Sequence, residues 1–175
     1  TIIQELFLNN LLPNKNLSIY ISINSNNLVK NKLFDQANFL LNVNNGKINI
    51  DDSQLISKKI GALKFFKSSL KMLDNDLTLQ SKIVFEIVND KQFNKSFQIQ
   101  KKNRKPVNKI FFDLKYNLFN DNLILSNLGI NNMDEDSLLI FDQVLSEYNN
   151  SENKKIKNWV NLKKFINEIF KVYEG

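Results

Sequence analysis

The stretch 109-KIFFDLKYNLFNDNLILSNLGINN-132 decides the fold, because its alternation fits paired β-strands and little else. Ile110, Phe112, Leu114, Tyr116 and Leu118 fall on one face. Asp113, Lys115 and Asn117 fall on the other, with Phe111 and Phe119 at its ends. Asn120-Asp121-Asn122 breaks the run, and Leu123 to Ile130 is apolar again. A lone hairpin is marginal in water, so this one belongs to a larger sheet. So apolar a face covers a core of its own, a second sheet, or something other than protein.

Working upstream, 76-DLTLQSKIVFEIV-88 is long enough to cross a whole sheet. Leu77, Leu79, Ile83, Phe85 and Ile87 share a face, with Ser81 its one polar member. Phe93, Phe97 and Ile99 form another short run between this strand and the hairpin. The stretch 58-KKIGALKFFKSSLKML-73 reads two ways. Ile60, Leu63, Phe66, Leu70 and Leu73 have nearly helical spacing, whereas Gly61, Ser68 and Ser69 favour two short strands with a bend; the second reading is preferred. In 38-NFLLNVNNGKINID-51, Asn45-Gly46 is the favoured pair for a type I′ turn, so a hairpin is predicted. In 16-NLSIYISIN-24, Leu17, Ile19, Ile21 and Ile23 alternate with polar residues, as in a half-buried strand. Residues 2–12 suit a short helix ended by Pro13.

Downstream the period changes. Leu138, Phe141, Leu145 and Tyr148 recur at helical spacing, and Trp159, Leu162, Phe165, Ile166, Ile169, Phe170 and Tyr173 form one apolar stripe. Asn149 to Lys157 is a polar linker between the two helices. The fold class is therefore mainly β with C-terminal helices (α+β), an antiparallel multi-stranded sheet. Residues 1–131 form the sheet segment and residues 132–175 the helical part.

Composition narrows the chemistry. Cysteine and histidine are both absent, which removes disulfides, thiolate metal sites, His-ligated zinc and Ser–His or Cys–His catalysis. No enzyme, cofactor or metal is expected. Asparagine is present 30 times and lysine 23 times against a single arginine, Arg104, a bias that suits an AT-rich coding genome. The net charge of +6 favours anionic partners. The phenylalanines fall on apolar faces and are not interleaved with basic residues, so no nucleic-acid partner is expected. Neither a transmembrane run nor a signal-peptide pattern is visible. The opening Thr1 suggests a piece of a longer polypeptide.

Two clusters carry charge. Lys101, Lys102, Arg104 and Lys105 form the densest basic segment, read either as a solvated loop or as a contact with anionic lipid head groups or a membrane surface. Arg104 can hold phosphate through two parallel hydrogen bonds, which lysine cannot. Asp134 to Ser137 reads as the acidic, capping first turn of a helix rather than a metal site.

From Ser96 to Asn132 the sequence resembles the C-terminal region of AsmA-like proteins (the AsmA/TamB type) from AT-rich alphaproteobacteria. The residues that carry the likeness are 101-KKNRK-105, the strand 109-KIFFDLKYN-117 and a return strand ending in asparagines. The closing helix 159-WVNLKKFINEIFKVYEG-175 and the turn 42-NVNNGKINIDDS-53 extend it over most of the chain. It departs at 96-SFQIQ-100 and in the N-terminal helix. Independently of this likeness, the stripe from Trp159 to Tyr173 is too wide and too aromatic to face water, and an open sheet's last strand needs covering. The two amphipathic helices are therefore expected to fold back as a cap over the terminal strand and the end of the apolar face. The resemblance implies a curved sheet forming an apolar groove. It implies a periplasmic, lipid-handling part of a longer chain anchored in the inner membrane. Such a module would shield phospholipid or other acyl lipid during transport to the outer membrane or its assembly, beside an outer-membrane protein partner. Lipid-lining residues would be Ile19, Ile21, Ile23, Phe39, Leu41, Ile48, Ile83, Phe85, Phe112 and Leu114. The alternative is a structural or scaffold β-domain with a closed core and a helical protein-interaction element, since a sandwich needs the same alternation.

Overall fold

In the computed structural model, residues 14–29, 33–73, 76–133, 138–150 and 159–175 are described, with Glu5 and Asn9. Strands β1 (Ser18–Ser25), β2 (Gln36–Asn44), β3 (Lys47–Asn49), β4 (Gln54–Ser57), β5 (Gly61–Leu73), β6 (Asp76–Ile87), β7 (Lys109–Asn117) and β8 (Asn122–Ile130) build one sheet. Its order is β1-β2-β4-β5-β6-β7-β8, with β3 also paired to β2, and every pairing is antiparallel. Helix α1 (Asp90–Phe97) lies between β6 and β7, and α2 (Asp142–Asn150) and α3 (Trp159–Val172) follow the sheet. This is the mainly β architecture with C-terminal helices that the alternation predicts.

The pairing puts one apolar face across the whole sheet. Ile19, Ile21 and Ile23 lie opposite Val43, Leu41 and Phe39. Further along, Leu55 meets Leu63, Leu63 meets Phe85, and Phe85 meets Ile110, which meets Ile130. The β2–β3 turn has the expected chemistry, with Asn45 at φ 51° and Gly46 at φ 74°.

Irregularities bend this sheet. β3 and β4 are two halves of one interrupted strand, because both pair with β2 but one residue out of register. Ser53 fills the gap: its hydroxyl accepts from the Leu40 N–H at 2.9 Å and donates to the Leu40 carbonyl at 3.1 Å. Beside it, β5 carries an extra residue between Phe66 and Ser69, with Lys67 at φ 48°. There the Ser68 hydroxyl accepts from Ile50 N–H at 2.7 Å, and the Asp51 carboxylate accepts from Ser68 N–H at 2.6 Å. A third irregularity lies opposite Phe112, where β8 carries the extra residue between Ser126 and Gly129, with Asn127 at φ 53°. Bulges increase local twist and bend a strand.

The bulge also resolves the ambiguous stretch. Residues 61–73 are strand, as preferred, but one long bulged strand rather than two short ones. The extra residue moves the apolar positions from Leu63 and Phe65 to Leu70 and Met72, and that change of parity imitates helical spacing. By contrast, the run holding Phe93 and Phe97 is helical. Asn89 caps it by accepting from Gln92 N–H at 3.0 Å, and Gln98 ends it at φ 57°. The helix expected at 2–12 lies outside the described residues, apart from Glu5 and Asn9, as do Asp134 to Ser137.

Most buried side chains form one cluster on the apolar face. Phe85, Ile87, Ile110, Leu125, Leu128 and Ile130 of the sheet pack there with Phe93 and Phe97 of α1, Leu145 of α2, and Phe165, Ile166, Ile169 and Phe170 of α3. The helices thus stand over β6, β7 and β8. Gly129 lies where the Phe111 ring and Leu138 leave no room for a Cβ.

Candidate functional site

A second, smaller cluster holds Val43, Ile48 and Leu77, with Ile19, Leu41, Leu70, Met72 and Phe119 packed against it. Val43 on β2 and Leu77 on β6 are three strand spacings apart, about 14 Å if the sheet were flat. Between them stand Ile48 on β3 and, packed against the cluster, Leu70 and Met72 on β5, with Met72 directly opposite Leu77. Val43, Ile48 and Leu77 are 0%, 3% and 1% exposed, so the apolar face is covered at this end as well as under the helices, leaving a trough between. One end is closed by these side chains and the other by the helices.

The predicted lining residues divide by what covers them. Ile83, Phe85 and Ile48 are buried at 2%, 6% and 3% exposure. Phe112 and Leu114 are half-buried against the helix-covered cluster, and Ile19 and Leu41 against the smaller one. Ile21, Ile23 and Phe39 remain open, at 40%, 56% and 38% exposure. Those three are neighbours, since Ile23 lies opposite Phe39 and Ile21 opposite Leu41. Ile23, Ile21 and Phe39 thus form an apolar strip on the sheet's free side, on the same face as the core.

Phe65, opposite Ile83, and Leu79, opposite Leu70, lie half-buried on the same face between the two clusters. Phe65 escaped the sequence reading because the bulge hid its parity; the alternation in 76–88 already placed Leu79 on this face. Leu28, Leu33 and Phe34, in the β1–β2 connection, also pack on the main cluster, Phe34 with its ring centroid 5.9 Å from that of Phe85. No periodicity marks such loop residues.

The basic segment is partly consumed by the fold. Its first residues form a 3-10 turn, Lys101–Asn103. Arg104 Nε donates to the Ile99 carbonyl at 3.0 Å, and Lys105 Nζ donates to the Glu174 carbonyl at 2.7 Å. Lys101 and Lys102 project into solvent. All four lie within five consecutive positions: two extend outward, and two also hydrogen-bond backbone carbonyls.

At the opposite edge, α2 clasps β8. The Asn149 side-chain oxygen accepts from Leu125 N–H at 3.0 Å, and its Nδ2 donates to the Leu125 carbonyl at 2.8 Å. Next to it, Tyr148 stacks on Phe165 with ring centroids 4.5 Å apart. Burial pushes the Tyr148 phenol from 10.0 up to about 12. Among the described residues no group of three or more acidic side chains is placed to hold a metal, and no helix is long and apolar enough to cross a membrane. The chain matches no family model, no curated protein and no solved structure.

Proposed function

We propose that the chain is a non-enzymatic lipid-handling module that shelters acyl chains of phospholipid, or of another acyl lipid, on the uncovered side of its trough. The observation that carries this reading is the open strip of Ile21, Ile23 and Phe39, continuous with a face that is otherwise a core. Burying such side chains against acyl chains contributes about 25 cal/mol per Å² of apolar surface removed from water. Lys101 and Lys102 supply about 1 kcal/mol each of attraction to an anionic membrane surface. The AsmA-like resemblance supports a periplasmic setting within a longer, inner-membrane-anchored chain, serving transport to the outer membrane or its assembly beside an outer-membrane protein.

A second reading is favoured by Ile83 and Phe85, which the chain's own side chains bury. It is a scaffold β-domain with a closed core. Lipid extraction and mass spectrometry of the purified chain separate the two. Acyl lipid should co-purify with the parent and be lost in Ile23→Asp, whose site is exposed, while thermal unfolding is unchanged. Absence of lipid from the parent, or equal lipid in the variant, supports the scaffold. Phe112→Asp is the contrasting control: it places a charge against the core and should unfold the chain under either reading.

A further inference from the structure

The two edges of the sheet differ. Asn149 occupies the edge of β8. On β1 the direction of each backbone group follows from the turn beyond β2. Asn44 and Lys47 flank a two-residue turn and so form a hydrogen-bonded pair. Alternation then turns Asn42 and Leu40 toward β3 and β4, consistent with the Leu40–Ser53 bonds. Phe39, Leu41 and Val43 consequently bond to Ile23, Ile21 and Ile19. The N–H and C=O groups of Ser18, Tyr20, Ser22 and Asn24 therefore point away from the sheet. All four residues are exposed, and none of the described residues supplies partners for these backbone groups.

Proteins guard such an edge with lysine, proline or a bulge. This chain has 23 lysines, yet from Asn16 to Val29 there is no charged residue at all. β1 also has no bulge against β2. We infer that β1 is a self-pairing edge, and that two copies of the chain join through antiparallel β1 strands about a two-fold axis at Ile21.

The register is set by the outward groups. With Ile21 facing the partner copy's Ile21, Tyr20 meets Ser22 and Ser18 meets Asn24, each pair exchanging two hydrogen bonds. All four outward residues are then used. Ile19 meets Ile23 and Ile21 meets its own copy in the closer, non-hydrogen-bonded pairs, with Cα atoms about 4.5 Å apart. A residue pairing with its own symmetry mate is what a two-fold interface requires. Electrostatics favours this edge too. Each chain carries +6, and the paired segment Ser18 to Asn24 brings no lysine of one copy opposite a lysine of the other. The interface runs through backbone groups and does not depend on lipid.

Light scattering on the purified chain tests it. The parent should show twice the 20.5 kDa chain mass at micromolar concentration. Ser22→Pro removes an outward N–H but leaves the bonds to β2, and proline is tolerated at such edge positions. It should give the mass of one chain with unchanged circular dichroism. Ser22→Lys, which places a cation at the edge without altering the backbone, should do the same and serves if the proline variant misfolds. In the parent dimer the amides of Tyr20, Ser22 and Asn24 should be protected from hydrogen exchange. A monomeric parent, a dimeric Ser22→Lys, or a dimer with those amides unprotected would overturn the inference. Lipid content read on the same samples reports separately on the proposed function.

Discussion

Tyr148 shows how much one half-buried group records of its surroundings. Its phenol is raised from 10.0 to about 12 because burial disfavours the phenolate. The unfolded chain, with an ordinary phenol, releases the proton first. Its stabilising contribution is thus complete below about pH 10 and is lost as pH rises toward about 12. Denaturant unfolding across that window should show the parent losing stability faster than Tyr148→Phe. Lysine titration is common to both proteins and cancels in the comparison. Equal losses would mean that the folded state accommodates the phenolate. Sequence periodicity does place Tyr148 on an inward helical stripe, but it cannot foretell the ring of Phe165, seventeen positions later in the chain, against which it stacks.

Between elements, the clasp of α2 on β8 is the contact most open to test. Asn149 offers one acceptor and one donor to a single residue of the edge strand, as a neighbouring strand would. Asn149→Ala should cost about 1–3 kcal/mol, two net hydrogen bonds with part-buried partners left behind. The unfolding midpoint should fall with the denaturant slope unchanged. Asn149→Asp should be no better, because a carboxylate cannot donate to the Leu125 carbonyl. The reading of the sequence put Asn149 at the start of a polar linker, since asparagine has low helix propensity and nothing in its neighbours announces a partner on β8. Elsewhere, elements were legible where one period ran unbroken. β6, β7 and α3 each bury one face, so their sequences alternate or repeat at helical spacing. β5 was obscured by its bulge, which shifts parity midway. α1 is only eight residues long, too short for a period, though Asn89 and the Phe93–Phe97 spacing were its signals.

For the whole molecule, sheet and helices share one core and should not be separable. Ending the chain after Ile130 would uncover Leu125, Leu128 and Ile130 together with the β8 edge. Such a product should aggregate or bind a hydrophobic dye, while the full chain stays soluble. A truncated chain as stable and monomeric as the parent would make the helices a separate unit. The lining of the trough was legible as a face and not as a surface. Alternation assigns Ile23 and Phe85 to the same side of the sheet, but which of them the helices reach depends on where α1, α2 and α3 dock. The clasp of Asn149 has a further consequence when growth is counted. A sheet open at both edges has a valence of two and can add copies without limit, the geometry of fibres. Blocking one edge lowers the valence to one, and units of valence one stop at a pair. The docking of α2 on β8, with Asn149 bonded to Leu125, thus bears on assembly at the far side of the molecule.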